Sequence, residues 1–129
     1  MRRLWSTVFI AALGVNGLVG CSEEEQRMLV WDAVATSLGS TSHEVSVNAE
    51  LYIQDASPRV GAEATYRGGP ESDAWIIVAA CADQVVIAEA TEVEFAVIPE
   101  ATMTDEVRQE IEDGDFLNAV WCEGRPYRA

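Results

Sequence analysis

Residues 74–81 read Ala74-Trp75-Ile76-Ile77-Val78-Ala79-Ala80-Cys81, eight positions without a charged side chain. The run is bounded by Gly68-Gly69-Pro70-Glu71-Ser72-Asp73 before it and Ala82-Asp83-Gln84 after it. A short continuous apolar run between turn signals is the pattern of a strand covered on both faces, so 74–81 predicts the centre of a sheet. Upstream, Val45, Val47, Ala49, Leu51 and Ile53 alternate with Glu44, Ser46, Asn48, Glu50, Tyr52 and Gln54, the period of a half-buried strand. Asp55-Ala56-Ser57-Pro58 supplies a turn and Val60 to Arg67 a weaker run. Downstream, Val85-Val86-Ile87-Ala88 is a short apolar stretch, and Glu92-Val93-Glu94-Phe95-Ala96-Val97 alternates again before Pro99. Short spacers favour antiparallel hairpins over parallel crossovers, which need a dozen residues or more. The expectation is an antiparallel meander of four or five strands over about 44–98.

Both flanks change period. Ser22 and Glu25 have the spacing of a capping box, and Met28, Trp31, Val34, Ala35 and Leu38 recur at helical intervals before Gly39 offers a stop. This predicts an N-terminal amphipathic helix over about 23–38. Glu23, Glu24 and Glu25 suit the positive end of a helix dipole, with cation binding as the competing reading. Toward the C-terminus, Thr102 or Thr104 can cap a helix through Asp105–Glu112 that Gly114 would end. Phe116 to Cys122 is too short for periodicity to decide between a helical turn and a strand, and the C-terminal helical segment is set at about 104–122. The predicted class is α+β in a single domain.

The first 20 residues have their own organisation. Met1-Arg2-Arg3 is a short basic start, Leu4 to Leu13 is apolar apart from Ser6 and Thr7, and Gly14 to Gly17 precede Leu18-Val19-Gly20-Cys21. That order is the order of a secretory signal, and Leu4 to Val19, interrupted by Asn16, falls short of the roughly 20 apolar residues of a spanning helix. Arg2-Arg3 fits a twin-arginine signal poorly. Leu18, Val19, Gly20 and Cys21 fill the four places of a lipobox, and the segment resembles the signal of a bacterial lipoprotein precursor. The resemblance covers about the first 21 residues. It implies diacylglyceryl transfer to the Cys21 sulfur, cleavage after Gly20, and acylation of the new amino group, commonly with palmitate, in diderm bacteria. In a diderm cell, Ser22 rather than Asp behind the cysteine implies an outer-membrane destination facing the periplasm. An ordinary cysteine behind an ordinary signal is the alternative.

Taking 1–20 as signal leaves 21–129, enough for one core and too little for two of ordinary size. Two arginines leave with it, so six arginines face 22 acids, a formal balance of −16, and the chain has no lysine. Nucleic acid is excluded as a partner class by that sign of charge, and an anionic bilayer would repel the domain, leaving acylated Cys21 as its hold on the lipid. A cationic envelope protein is the partner class such a surface fits. With Cys21 assigned to lipid, Cys81 and Cys122 form an even pair in an exported chain, which predicts a disulfide; two buried free thiols are the alternative.

Residues with catalytic chemistry are few. His43 is the only histidine, and although Ser42 and Ser46 stand near it in sequence, no GxSxG surrounds them. One histidine and two paired cysteines fall short of a zinc set, and Glu112-Asp113-Gly114-Asp115 lacks the alternating ligands and closing Glu of an EF-hand loop. No cofactor and no catalytic residue is assigned. Two function classes stand: a lipid-anchored binding or structural domain whose acidic face or sheet edge meets an envelope partner, and a small carboxylate-dependent hydrolase.

Overall fold

The computed structural model describes residues 27–129. Their class is α+β. Two short helices, α1 (Leu38–Ser42) and α2 (Asp105–Glu112), and several 3-10 turns surround four strands, β1 (Glu50–Asp55), β2 (Trp75–Ala82), β3 (Glu92–Pro99) and β4 (Tyr127–Arg128). The strands form one sheet in the order β1-β3-β2-β4.

That order corrects the expected antiparallel meander. β2 and β3 are antiparallel, as are β2 and β4, but β1 runs parallel to β3, so the sheet is mixed. The reason lies in the connections. Only residues 83–91 join β2 to β3, and the Asp83 carboxylate secures that link by accepting the N–H of Thr91 at 2.8 Å, the Thr91 hydroxyl and the Glu92 N–H. Residues 56–74, by contrast, are long enough to let β3 slot between β1 and β2.

Two apolar layers cover the sheet. Leu51, Ile53, Trp75, Ile77, Ala80, Ala82, Val93, Phe95 and Val97 pack on one face with Val30, Ala33, Leu38, Ile87 and Tyr66. Tyr66 meets Trp75 edge-to-face at 5.1 Å between ring centroids. On the other face Ile76, Ala79, Cys81, Ala96 and Ile98 pack with Ala56, Val107, Phe116 and Val120. β3 is buried from Val93 to Ile98, which makes it as central as β2.

A β-bulge sits at Val78, where Ile77 pairs with Val97 but Ala79 pairs with Ala96. The extra residue reverses the side-chain alternation along β2. Odd-numbered Ile77 therefore faces the first layer, while odd-numbered Cys81 faces the second, under the C-terminal segment.

Several expected elements take another form. Residues 23–26 of the predicted N-terminal helix lie outside the described residues. From Arg27 onward there is no α-helix until α1: Leu29 bridges Val86, Val30–Ala33 is a 3-10 turn, and Ser37 bridges Ile76. Val30 N–H donates to Val85 O at 2.9 Å and Ile87 N–H to Met28 O at 3.0 Å, so edge pairing overrides the helical spacing. The same contacts occupy the predicted strand Val85–Ala88, which becomes one bridge and the 3-10 turn Ile87–Glu89. Gly39 does not stop a helix but lies inside α1, where an added Cβ would collide with Asp73 Oδ1 and stand 2.7 Å from the Glu71 carbonyl. The predicted strand from Glu44 begins only at Glu50, because Ser46 turns the chain, its hydroxyl taking the Asn48 N–H and its carbonyl the Ala49 N–H. Val47, which the alternation would bury, is 99 % exposed. Thr104 caps α2, its hydroxyl accepting the Val107 N–H at 3.1 Å, and of the expected helical segment the part from Asp113 to Cys122 holds only the 3-10 turn Leu117–Ala119.

Candidate functional site, a buried carboxylate and arginine under the C-terminal segment

Register places Glu94 at the middle of β3, with Tyr52 of β1 on one side and Cys81 of β2 on the other. Cys81 and Cys122 are joined by a disulfide with their Cα atoms 5.5 Å apart, which brings the chain at 120–125 down over Glu94. Glu94 is 2 % exposed. A carboxylate in that position is costly unless donors surround it, and here they do. Its Oε1 accepts from Trp121 N–H at 2.9 Å, Cys122 N–H at 3.4 Å and Arg125 Nη1 at 3.0 Å. Its Oε2 accepts from Gln54 Nε2 at 3.3 Å.

Local backbone makes this convergence. Cys122 has φ of 53°, one of two non-glycine residues in the left-handed region among those described. The bend aims consecutive N–H groups at one oxygen, an anion-holding concavity that Glu94 fills. Arg125 N–H then donates to Cys122 O at 2.9 Å, closing the turn that brings the guanidinium back over the sheet. That guanidinium lies 4.8 Å from the centre of the Tyr52 ring. Its Nε is buried without a hydrogen-bond partner, with Glu92 Oε2 3.9 Å away.

The rim of the cluster is exposed and acidic. Tyr52 donates its hydroxyl to Glu50, whose hydrogen bond and charge push the phenol above its ordinary value of 10.0. Trp121 is 77 % exposed. Two other carboxylates act as local clamps. Asp55 accepts the Ser57 and Tyr66 N–H groups, and Asp83 holds Thr91 and Glu92 as described above. Partial burial pushes both acids upward. Hydrogen bonds outweigh it, from the Ser57 hydroxyl and nearby N–H groups at Asp55 and from the Thr91 hydroxyl and nearby N–H groups at Asp83, so both lie below the ordinary 3.8.

The sequence-predicted residues fall in different places. Cys21 lies outside the described residues. Cys81 and Cys122 are brought together and belong to this cluster. His43 is exposed at the end of α1, where its N–H donates to Thr41 O. The Ser42 hydroxyl donates to Gly39 O and the Ser46 hydroxyl accepts from Asn48 N–H, so neither hydroxyl is bonded to His43. Asp113 accepts from Gln109 Nε2 at the end of α2, and among the described residues no three of His, Cys, Asp and Glu converge as metal ligands.

Glu94, Arg125 and Tyr52 were not singled out by the sequence. Glu94 looked like the wet side of an alternating strand. The signal lay two and four residues further on, since Ala96 and Ile98 share its face, and an acid continuous with apolar positions borders a covered surface. No protein-family model matches this chain, and no curated protein or solved structure shows significant similarity to it.

With both oxygens of Glu94 committed to donors, the cluster fastens the C-terminal segment to the sheet. What it presents outward is an aromatic and acidic rim.

Proposed function

We propose that this chain is a lipid-anchored lipoprotein of the bacterial envelope, held by acylated Cys21, whose folded part is a non-catalytic binding or structural domain. The observation that carries the reading is Leu18-Val19-Gly20-Cys21 at the end of a basic-then-apolar leader. Two facts support it. Cys81 and Cys122 are paired, as suits an oxidising compartment. The buried carboxylate of Glu94 has its oxygens occupied by donors from Trp121, Cys122, Arg125 and Gln54. The partner class is a cationic protein of the envelope, which the −16 balance would draw in at long range.

The test is expression of the full chain and of Cys21→Ser in a lipoprotein-processing bacterium fed a radiolabelled fatty acid. The parent should carry label, lose residues 1–20 and partition into detergent, while the variant should do none of these. A cleaved, labelled variant would overturn the anchor. Because the chain has no lysine, an N-acylated mature form should also be inert to amine-reactive dye. Hydrolytic turnover lost on replacing a single carboxylate would overturn the non-catalytic reading and leave the hydrolase in its place.

A further inference from the structure

We infer that the outer edge of β1 is a strand-addition site for an extended lysine- or arginine-bearing segment of another protein. The inference rests on the acidic-binding reading above and gives it a location. Glu50 N–H donates to Thr91 O at 2.9 Å and Ala56 N–H to Val97 O at 2.8 Å, which fixes the parity of the β1–β3 ladder. Even-numbered residues turn their backbone groups toward β3. The N–H and C=O of Leu51, Ile53 and Asp55 therefore point the other way, and none of these six groups has a hydrogen-bond partner among the described residues.

Free edges are ordinarily guarded by charged side chains, lysine above all, by proline, a bulge, extreme shortness or a covering loop, and the charges of β1, Glu50 and Asp55, stand only at its two ends. β1 has six residues, no proline, no lysine and an unbroken register with β3. Its chemistry selects a partner. Glu50 and Glu92 stand side by side at its start, Glu50 exposed and Glu92 with 39 % of its side chain exposed, and the Tyr52 ring next along is 41 % exposed. Asp55 at the far end already has its carboxylate engaged by Ser57 and Tyr66. An added strand with basic side chains on the Glu50 and Tyr52 side would gain six backbone hydrogen bonds without displacing any present. A second copy of this chain would bring another acidic surface to the same edge, so the occupant is a cationic segment.

The test uses the mature full chain in detergent with two capped octapeptides, (Lys-Val)4 and (Glu-Val)4, read by amide hydrogen exchange. In the free protein the amides of Leu51, Ile53 and Asp55 should exchange fast and those of Tyr52 and Gln54 slowly. At ten times its Kd the lysine peptide leaves about one eleventh of the protein free, so the three fast amides should slow about tenfold. Salt should weaken binding, and the glutamate peptide should leave the amides unchanged. Leu51→Pro removes one outward N–H while sparing the β3 ladder and should abolish protection. Because Leu51 also packs on the core, Glu50→Lys at an exposed position provides the second variant, expected to weaken binding at least fivefold with the fold intact. Lysine peptide bound with the three amides still fast would overturn the site and leave the acidic-surface reading standing. Protection in the free protein that grows with its concentration would assign the edge to a second copy and overturn the inference. No binding of the cationic peptide anywhere would overturn both readings.

Discussion

Replacing Arg125 by Met removes the only cation bonded to Glu94 among the described residues and leaves a carboxylate that is 2 % exposed with backbone donors from Trp121 and Cys122 and the Gln54 amide. Breaking a buried pair from one side costs about 3–5 kcal/mol. Three donor groups remain, which places the loss at the low end, about 3 kcal/mol, including the cation–π contact with Tyr52. Glu94→Gln fails differently. Its amide oxygen can keep the Trp121, Cys122 and Arg125 donors only with the NH2 set against Gln54 Nε2, so the Gln54 amide must turn over, and a neutral acceptor replaces a charged one beside the guanidinium, at a cost of about 1–3 kcal/mol. For a domain this size, with an m-value of about 1.5 kcal/mol per M, the Arg125→Met midpoint in urea should fall by about 2 M. The double variant should lose less than the sum, by about 2 kcal/mol, because each single variant already forfeits the pair. Urea unfolding followed by near-ultraviolet circular dichroism, with the disulfide kept oxidised, measures all four corners of the cycle. Midpoints within about 0.5 M of the parent in both single variants, or strictly additive losses, would refute the assignment of Glu94 and Arg125 as a coupled fastening.

The disulfide closes a separation of 41 residues, for which the chain-entropy model gives about 4 kcal/mol; Cys81→Ala with Cys122→Ala should cost about 2–4 kcal/mol by the same urea assay, and a change under 1 kcal/mol would show that the Glu94 cluster alone holds the segment. Asp83 lies below its ordinary value in the fold, so its contribution is present above the unfolded value, near pH 4, and is lost as pH falls through the folded one. The melting temperatures of the parent and Asp83→Asn should therefore differ at pH 6 and converge below about pH 4, whereas a gap constant down to pH 2 would mean that the carboxylate charge is not what ties Thr91 and Glu92.

The strand at 75–82 was legible because a covered strand has a strong local signature, the one at 92–99 by its alternation although both its faces are covered, and the start of α2, offered at Thr102 or Thr104, because a hydroxyl directly before an acidic first turn is local chemistry. What failed was non-local. Alternation through Val45 and Val47 continues the pattern of β1, yet it lies in a turn set by the side chain of Ser46, and periodicity does not weigh one hydroxyl against a ladder. Met28, Trp31 and Val34 carry helical spacing, but residues 85–87 offer backbone partners that only the folded chain brings near. The parallel pairing of β1 with β3 depends on what fills the space left by residues 56–74, which no window of sequence contains. At the site, the cysteines were readable by counting. Glu94 and Arg125 were not, because their meeting depends on the Val78 bulge that turns Cys81 toward the C-terminal segment.

That dependence separates the two sides of the sheet by how they are held. The C-terminal segment has a covalent link to β2 at Cys81, a buried ionic link to β3 at Glu94 and a backbone ladder through β4 that pairs with Cys81 and Ala82 of β2. Loosening it requires all three to yield together. β1 is held by its ladder to β3 and by the half-buried Leu51 and Ile53, with Gln54 bonded to Glu94 and the Tyr52 ring against the Arg125 guanidinium as its ties to the cluster. Among the described residues its outer groups have no partner to surrender. A strand arriving there meets an element already extended and in register, so little backbone ordering on the protein side opposes the new bonds. The incoming segment bears that ordering cost instead. Rigidifying the segment, for example by cyclising a lysine-bearing hairpin, should therefore tighten binding to β1 more than lengthening it would.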